Sequence, residues 1–127
     1  MFKFITYGSL LFVFGYFHTI DAQNPWEPYP QKDAAFGTNH QFLVNQTKSL
    51  GSKIEIMFFG DGITYEWSTT GKEVWNKYYG NLNAFNYGIT GGTQTQHIIW
   101  RLRNGEVDGL SPKLVVLMVG SYNLGCK

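Results

Sequence analysis

Lys53-Ile54-Glu55-Ile56-Met57-Phe58-Phe59, followed at once by Gly60-Asp61-Gly62-Ile63-Thr64, is the stretch on which the fold turns. It is rich in β-formers and wholly apolar at its end, and a glycine–aspartate–glycine turn then stops it. A continuous apolar run closed by turn residues is the pattern of a strand buried in a parallel sheet. Moving outward, Lys113 to Val119 (KLVVLMV) repeats the pattern between Pro112 and Gly120 and predicts a strand buried on both faces. Asn83 to Ile89 predicts a shorter strand that runs into the glycine-rich segment Gly88 to Thr93.

Helical spacing fills the gaps. Val74, Trp75, Tyr78 and Tyr79 share one predicted face over Gly71–Tyr79, and Ile98, Ile99 and Leu102 do so over Thr95–Arg103, with Gly105 as the stop. Upstream, Ala34 to Leu50 predicts a helix closed by Gly51, with His40 on its surface. Before it, Asn24 to Gln31 holds Pro25, Pro28 and Pro30 and reads as an extended arm. Apolar strands alternating with helices predict an α/β fold with a parallel sheet. In such sheets ligands bind at the carboxyl ends of the strands, which draws attention to Gly60-Asp61-Gly62 and Gly120-Ser121-Tyr122-Asn123.

The first 22 residues read as a signal peptide, with Lys3 ahead of an apolar run from Ile5 to Phe17 and a cleavage point before Gln23. This predicts a secreted, extracellular protein divided into residues 1–22 (signal), 23–52 (arm and first helix) and 53–127 (the α/β domain). Once the signal is removed, no remaining run is long enough to span a membrane. A formal charge of +1 with scattered basic residues speaks against nucleic acid as a partner. Cys126 is the only cysteine, so no intrachain disulfide can form. Asn45-Gln46-Thr47 is a glycosylation sequon, and Asn45 is the expected acceptor in a secreted chain. Asp61, Glu66 and His97 match no metal-ligand spacing, and no metal or cofactor is expected.

Taken together, Phe59 to Thr64, Gly71 to Trp75, Asn86 to Gly91, Gln96 to Glu106 and Gly120 to Asn123 resemble the conserved blocks of the SGNH/GDSL hydrolases. Within that family they are similar to the catalytic subunits of platelet-activating-factor acetylhydrolase and to bacterial secreted relatives. The resemblance covers about Lys53 to Gly125. It implies a flavodoxin-like, three-layer parallel sheet (the SGNH hydrolase fold), here truncated after the third strand. It also implies acyl-transfer chemistry: a serine after the first strand, a histidine in a later Asp-x-x-His block, and an oxyanion hole from the serine N–H, a glycine N–H and an asparagine side chain.

Carried over position by position, that machinery is incomplete. Asp61 falls at the family's aspartate, which organises the turn, and Gly62 stands where the serine should be. The oxyanion glycine is matched by Gly91, with Gly92 as runner-up because of a one-residue insertion. Tyr122 stands at the oxyanion asparagine, and the neighbouring Asn123 is displaced by one residue, which re-aims its side chain. No Asp-x-x-His block occurs within the 127 residues. Loss of a triad serine costs on the order of 10⁶ in turnover, and loss of one oxyanion donor roughly 3 kcal/mol. Thr64 and Ser121 are poor substitutes as nucleophiles, and His97 is expected to serve packing or hydrogen bonding.

The primary expectation is therefore a non-catalytic, esterase-like protein with a binding or structural role. Its ligand would be a small ester, lipid or glycan, and a protein partner would cover the open edge of the last strand. The alternatives are a fragment of an active acetyl-ester or lipid-ester hydrolase working by the Ser-His-Asp mechanism, and a degenerate product without function.

Overall fold

A computed structural model of the chain describes residues 26–125. The predicted signal segment and Cys126 lie outside the described residues. Three parallel strands form one sheet in the order β2-β1-β3, with β1 Ile56–Gly60, β2 Ala84–Gly88 and β3 Leu114–Met118. The register places Ile56 beside both Ala84 and Leu114, and Gly60 beside Gly88 and Met118. Helices flank the sheet: α1 Ala34–Leu50, α2 Gly62–Tyr65, α3 Lys72–Tyr78, α4 Thr95–Arg103 and α5 Ser121–Gly125. This is the α/β, flavodoxin-like arrangement with its first three strands.

Alternation along β1 divides the packing between the two faces. Met57 and Phe59 join Phe36 and Leu43 of α1, Ile98 of α4, and Ile54, Tyr87 and Ile89 in the main core. Phe58 points the other way, and its ring meets Trp75 of α3 and Tyr79 just after it at 4.9 Å each. The helix bounds follow local chemistry. Asp33 caps α1 by accepting from the Ala35 N–H at 2.7 Å, and Gly51 closes the helix at φ 50°. At Gly60 a Cβ would lie 2.1 Å from Thr64 Oγ1 and 2.4 Å from the Met118 carbonyl. Only glycine lets α2 sit this close over the end of β1.

Several expectations are corrected. The Lys113–Val119 run does not form a strand buried on both faces: all five residues of β3 are exposed, from 38% at Val116 to 60% at Leu117. An apolar run reports a preference for burial, and burial itself needs a covering layer that the described residues do not supply on this edge. On α3, Val74 and Tyr78 are exposed and Trp75 is only half-buried, so the helix lacks the buried face that the spacing predicted. On α4, Leu102 is exposed while Ile98 is buried. His40 is not a surface residue: its Nδ1 meets Glu106 Oε1 at 2.6 Å beside the Trp100 ring.

Candidate active-site cleft

The carboxyl ends of the strands are held by a buried ion pair. Arg101 and Glu106, both fully buried, are joined from Nε and Nη2 to the two carboxylate oxygens at 2.7–3.0 Å. Arg101 also donates from Nη1 to the Gly60 carbonyl at 2.9 Å and from Nη2 to the Tyr87 carbonyl at 2.6 Å, and its guanidinium lies 4.3 Å from the Phe59 ring centre. The side chain thus ties the last turn of β1 to the last turn of β2. Thr47, from α1, donates to the Glu106 carbonyl at 2.6 Å and pairs with the Tyr87 hydroxyl at 2.8 Å. Burial pushes the Tyr87 phenol above its ordinary range. Sequence reasoning gave Arg101, Glu106 and Tyr87 no role and read Thr47 only as part of a sequon. The only local signal was an arginine and a glutamate five apart in a segment otherwise read as core.

Asp61 is fully buried in the loop after β1. Its Oδ1 accepts from the Ile63 N–H at 3.0 Å, capping α2, and its Oδ2 accepts from the Ser121 hydroxyl at 3.0 Å. The carboxylate therefore joins the loop after β1 to the loop after β3. Ser121, itself exposed, spends its hydroxyl proton on this bond, and Thr64 is buried against Gly60.

Gly62 offers no side chain, yet its backbone would accept one. A Cβ there would meet the Tyr122 hydroxyl at 3.5 Å and Thr90 Cα at 3.8 Å, which are ordinary contacts. Gly91 and Gly92 both adopt positive φ, +85° and +76°. A Cβ on Gly92 would lie 3.5 Å from Tyr122 Cδ1. One aromatic ring therefore lies across the space between the Gly62 loop and the glycine loop. Asn123 points elsewhere: its Oδ1 accepts from the Thr95 N–H at 3.0 Å and its Nδ2 donates to Gln96 Oε1 at 3.1 Å. The structure brings Asp61, Gly62, Gly92 and Tyr122 together and turns Asn123 toward the start of α4.

The arm completes the cleft, which sequence reasoning missed because an irregular proline-rich segment carries no periodic signal. Gln31 donates from Nε2 to the Gly91 carbonyl. Tyr29 accepts from Gln96 Nε2 at 3.0 Å and sets its ring edge-on to His97 at 4.9 Å. His97, also against Phe36, accepts the Gln94 N–H at Nδ1 (3.0 Å), and burial holds its pKa below the ordinary value of 6.5. Tyr29, Gln31, Asp33, Gly91, His97 and Tyr122 border a cavity of about 510 Å³.

Elsewhere, Asn45 is exposed on α1 and accepts from Gln41 at 3.1 Å, while the threonine of its sequon is spent in the core. No group of three metal-ligating side chains occurs among the described residues, and no helix among them is long and apolar enough to cross a membrane.

No family model matches the chain. Curated proteins do. Platelet-activating factor acetylhydrolase IB subunit alpha1 of Bos taurus is 38% identical over 87 residues, covering 68% of this chain and 35% of that protein. The alpha1 subunit of Rattus norvegicus is 34% identical over 109 residues, covering 81% and 44%. The alpha2 subunit of Homo sapiens is 38% identical over 93 residues, covering 73% and 38%. The chain thus spans 35–44% of the length of these relatives. They overturn the expectation of a secreted, extracellular protein, because these subunits are intracellular enzymes. That expectation rested on the composition of an N-terminal apolar run, which is a weaker witness than similarity spread over the folded residues. With 34–38% identity across most of its folded residues and the three-strand sheet in place, the chain belongs to the SGNH/GDSL hydrolase family.

Proposed function

We propose that this chain is a catalytically inactive member of its family that keeps the cleft at the strand ends for binding or for a structural role. The observation that carries the reading is the pairing of Gly62 with Tyr122. At the family's nucleophile position there is no hydroxyl, and the Tyr122 hydroxyl sits 3.5 Å from where a side chain would begin. In this reading the ring takes up the volume that the ester carbonyl and its oxyanion donors would need. The asparagine one residue on is committed to α4 and does not replace the lost donor.

The ligand in this reading is a small ester, lipid or glycan, and a protein surface covers β3. The five exposed apolar residues of β3 support the second part, since an open apolar edge strand invites pairing. Turnover of p-nitrophenyl acetate is the direct test. The expected rate is that of the heat-denatured protein at equal concentration; saturable turnover, abolished by a serine-directed inhibitor, points instead to a working ester hydrolase.

A further inference from the structure

The buried side-chain polar atoms left unpaired among the described residues gather at one place. Two buried side-chain atoms lack a hydrogen-bond partner, Gln31 Oε1 and His97 Nε2, and both residues line the cleft bounded by the arm, the glycine loop and Tyr122. Buried polar groups are nearly always paired, so each exception asks what its partner is.

Their chemistry is complementary. The Gln94 N–H donates to His97 Nδ1, which places the imidazole proton on Nε2 and makes that atom a donor. Gln31 has turned its amide N–H toward the Gly91 carbonyl, which leaves Oε1 as an acceptor. His97 is 3% exposed and its burial favours the neutral ring, while Lys32 and Asp33 at the rim balance each other in charge. An anion therefore finds no net positive site. A hydroxyl is the group that accepts from one neighbour and donates to another through a single atom. The cavity, at about 510 Å³, is of small-ligand size. The Tyr122 ring and the side-chain-free backbone of Gly91 and Gly92 give it flat walls. Lipid chains are better matched by a separate apolar hollow of about 330 Å³ lined by Phe59, Leu102, Val115 and Leu117.

We propose that the cleft between the arm, the glycine loop and Tyr122 is a saccharide site, in which sugar hydroxyls pair with His97 Nε2 and Gln31 Oε1 and the sugar ring lies against Tyr122. The proposal rests on the binding reading above and narrows its ligand to an uncharged polyhydroxyl compound. Both orphaned atoms are closed over, so the arm shifts to admit the ligand. Its attachments include the Gln31–Gly91 bond, the 3.0 Å bond from Gln96 to Tyr29 and the Tyr29 ring on His97.

Titration of the ¹⁵N-labelled protein with N-acetylglucosamine, followed by NMR, tests it. The expected result is saturable shifts at the Gly91 and Gly92 amides and the His97 ring, with affinity about tenfold weaker in Gln31→Ala and in His97→Asn. His97→Asn keeps an acceptor for the Gln94 N–H but removes the Nε2 donor, and Gln31→Ala lies in the arm outside the core. The proposal is overturned by no saturable shift up to about 50 mM sugar, far above a millimolar dissociation constant. It is equally overturned by binding that both variants leave unchanged, or by octanoate producing the same shifts more strongly than the sugar. Ester turnover by the native chain would sink the non-catalytic reading without touching this titration, so the two claims fail separately.

Discussion

The Tyr122 hydroxyl lies 3.5 Å from the point where a side chain on Gly62 would begin. The two positions proposed as departures from the family pattern thus meet in space, although 60 residues separate them in the chain. Gly62 is not held as glycine by its backbone, since nothing crowds a Cβ there below ordinary contact.

Gly62→Ser is therefore expected to fold, with stability within about 1 kcal/mol of the parent by urea denaturation, the range of an unstrained surface or loop change. A larger loss would mean that the loop after β1 tolerates glycine alone.

The buried Arg101–Glu106 pair predicts a sharp asymmetry. Glu106→Gln leaves the guanidinium without its counter-charge and also weakens the contact to His40. It should lower the unfolding free energy by roughly 3–5 kcal/mol, as expected for breaking one partner of a buried pair. Lys113→Gln, which removes an exposed pair with Glu55 at 3.0 Å, should cost at most about 1 kcal/mol. Comparable losses in the two variants would mean that Arg101 does not hold the strand ends together.

His97 gives stability a pH dependence with a definite sign. Burial against Tyr29 and Phe36 lowers its folded pKa below 6.5, so the unfolded chain takes up the proton first as pH falls. Its contribution is complete above the unfolded value and declines as pH drops below it toward the folded pKa. Urea midpoints measured between pH 7.5 and pH 5, with values about these chosen to bracket the ordinary histidine range, should fall on acidification. They should fall less steeply in His97→Asn. A flat profile, or a slope that His97→Asn leaves unchanged, would contradict the assignment.

The exposed β3 edge should make the protein self-associate. Leu117 is 60% exposed on this strand, and Leu117→Lys places a charge there, a common guard against edge pairing. Sedimentation velocity should show at least about a tenfold rise in the apparent dissociation constant for self-association in the variant. A parent that stays monomeric across the accessible concentration range would show that the edge is already shielded.

Much of the scaffold was legible because its signals are local. Gly51 after Leu50 marks the end of α1, and the spacing around Ile98 marks α4 with the bounds that the structure has. The turn after β1 identified itself by its glycines. What was not legible depends on neighbours distant in sequence. The burial of β3 depends on what covers it. The partnership of His40, Arg101 and Glu106 joins α1 to the segment around α4. Tyr122 was recognisable as a departure from the asparagine pattern, but its lying over both Gly62 and Gly92 follows from how three loops converge. Gln31 entered the cleft through an arm whose sequence predicted only an extended chain.

The most direct test of the central claim is labelling of the native protein with a fluorophosphonate probe, mapped to residues by mass spectrometry. The proposed reading, with Gly62 at the serine position, Ser121 bonded to Asp61 and Thr64 buried, predicts no site-specific adduct beyond that of the denatured control. A stoichiometric adduct on Ser121, Thr64 or Tyr122, lost on unfolding, would contradict the account and restore an enzyme to this cleft.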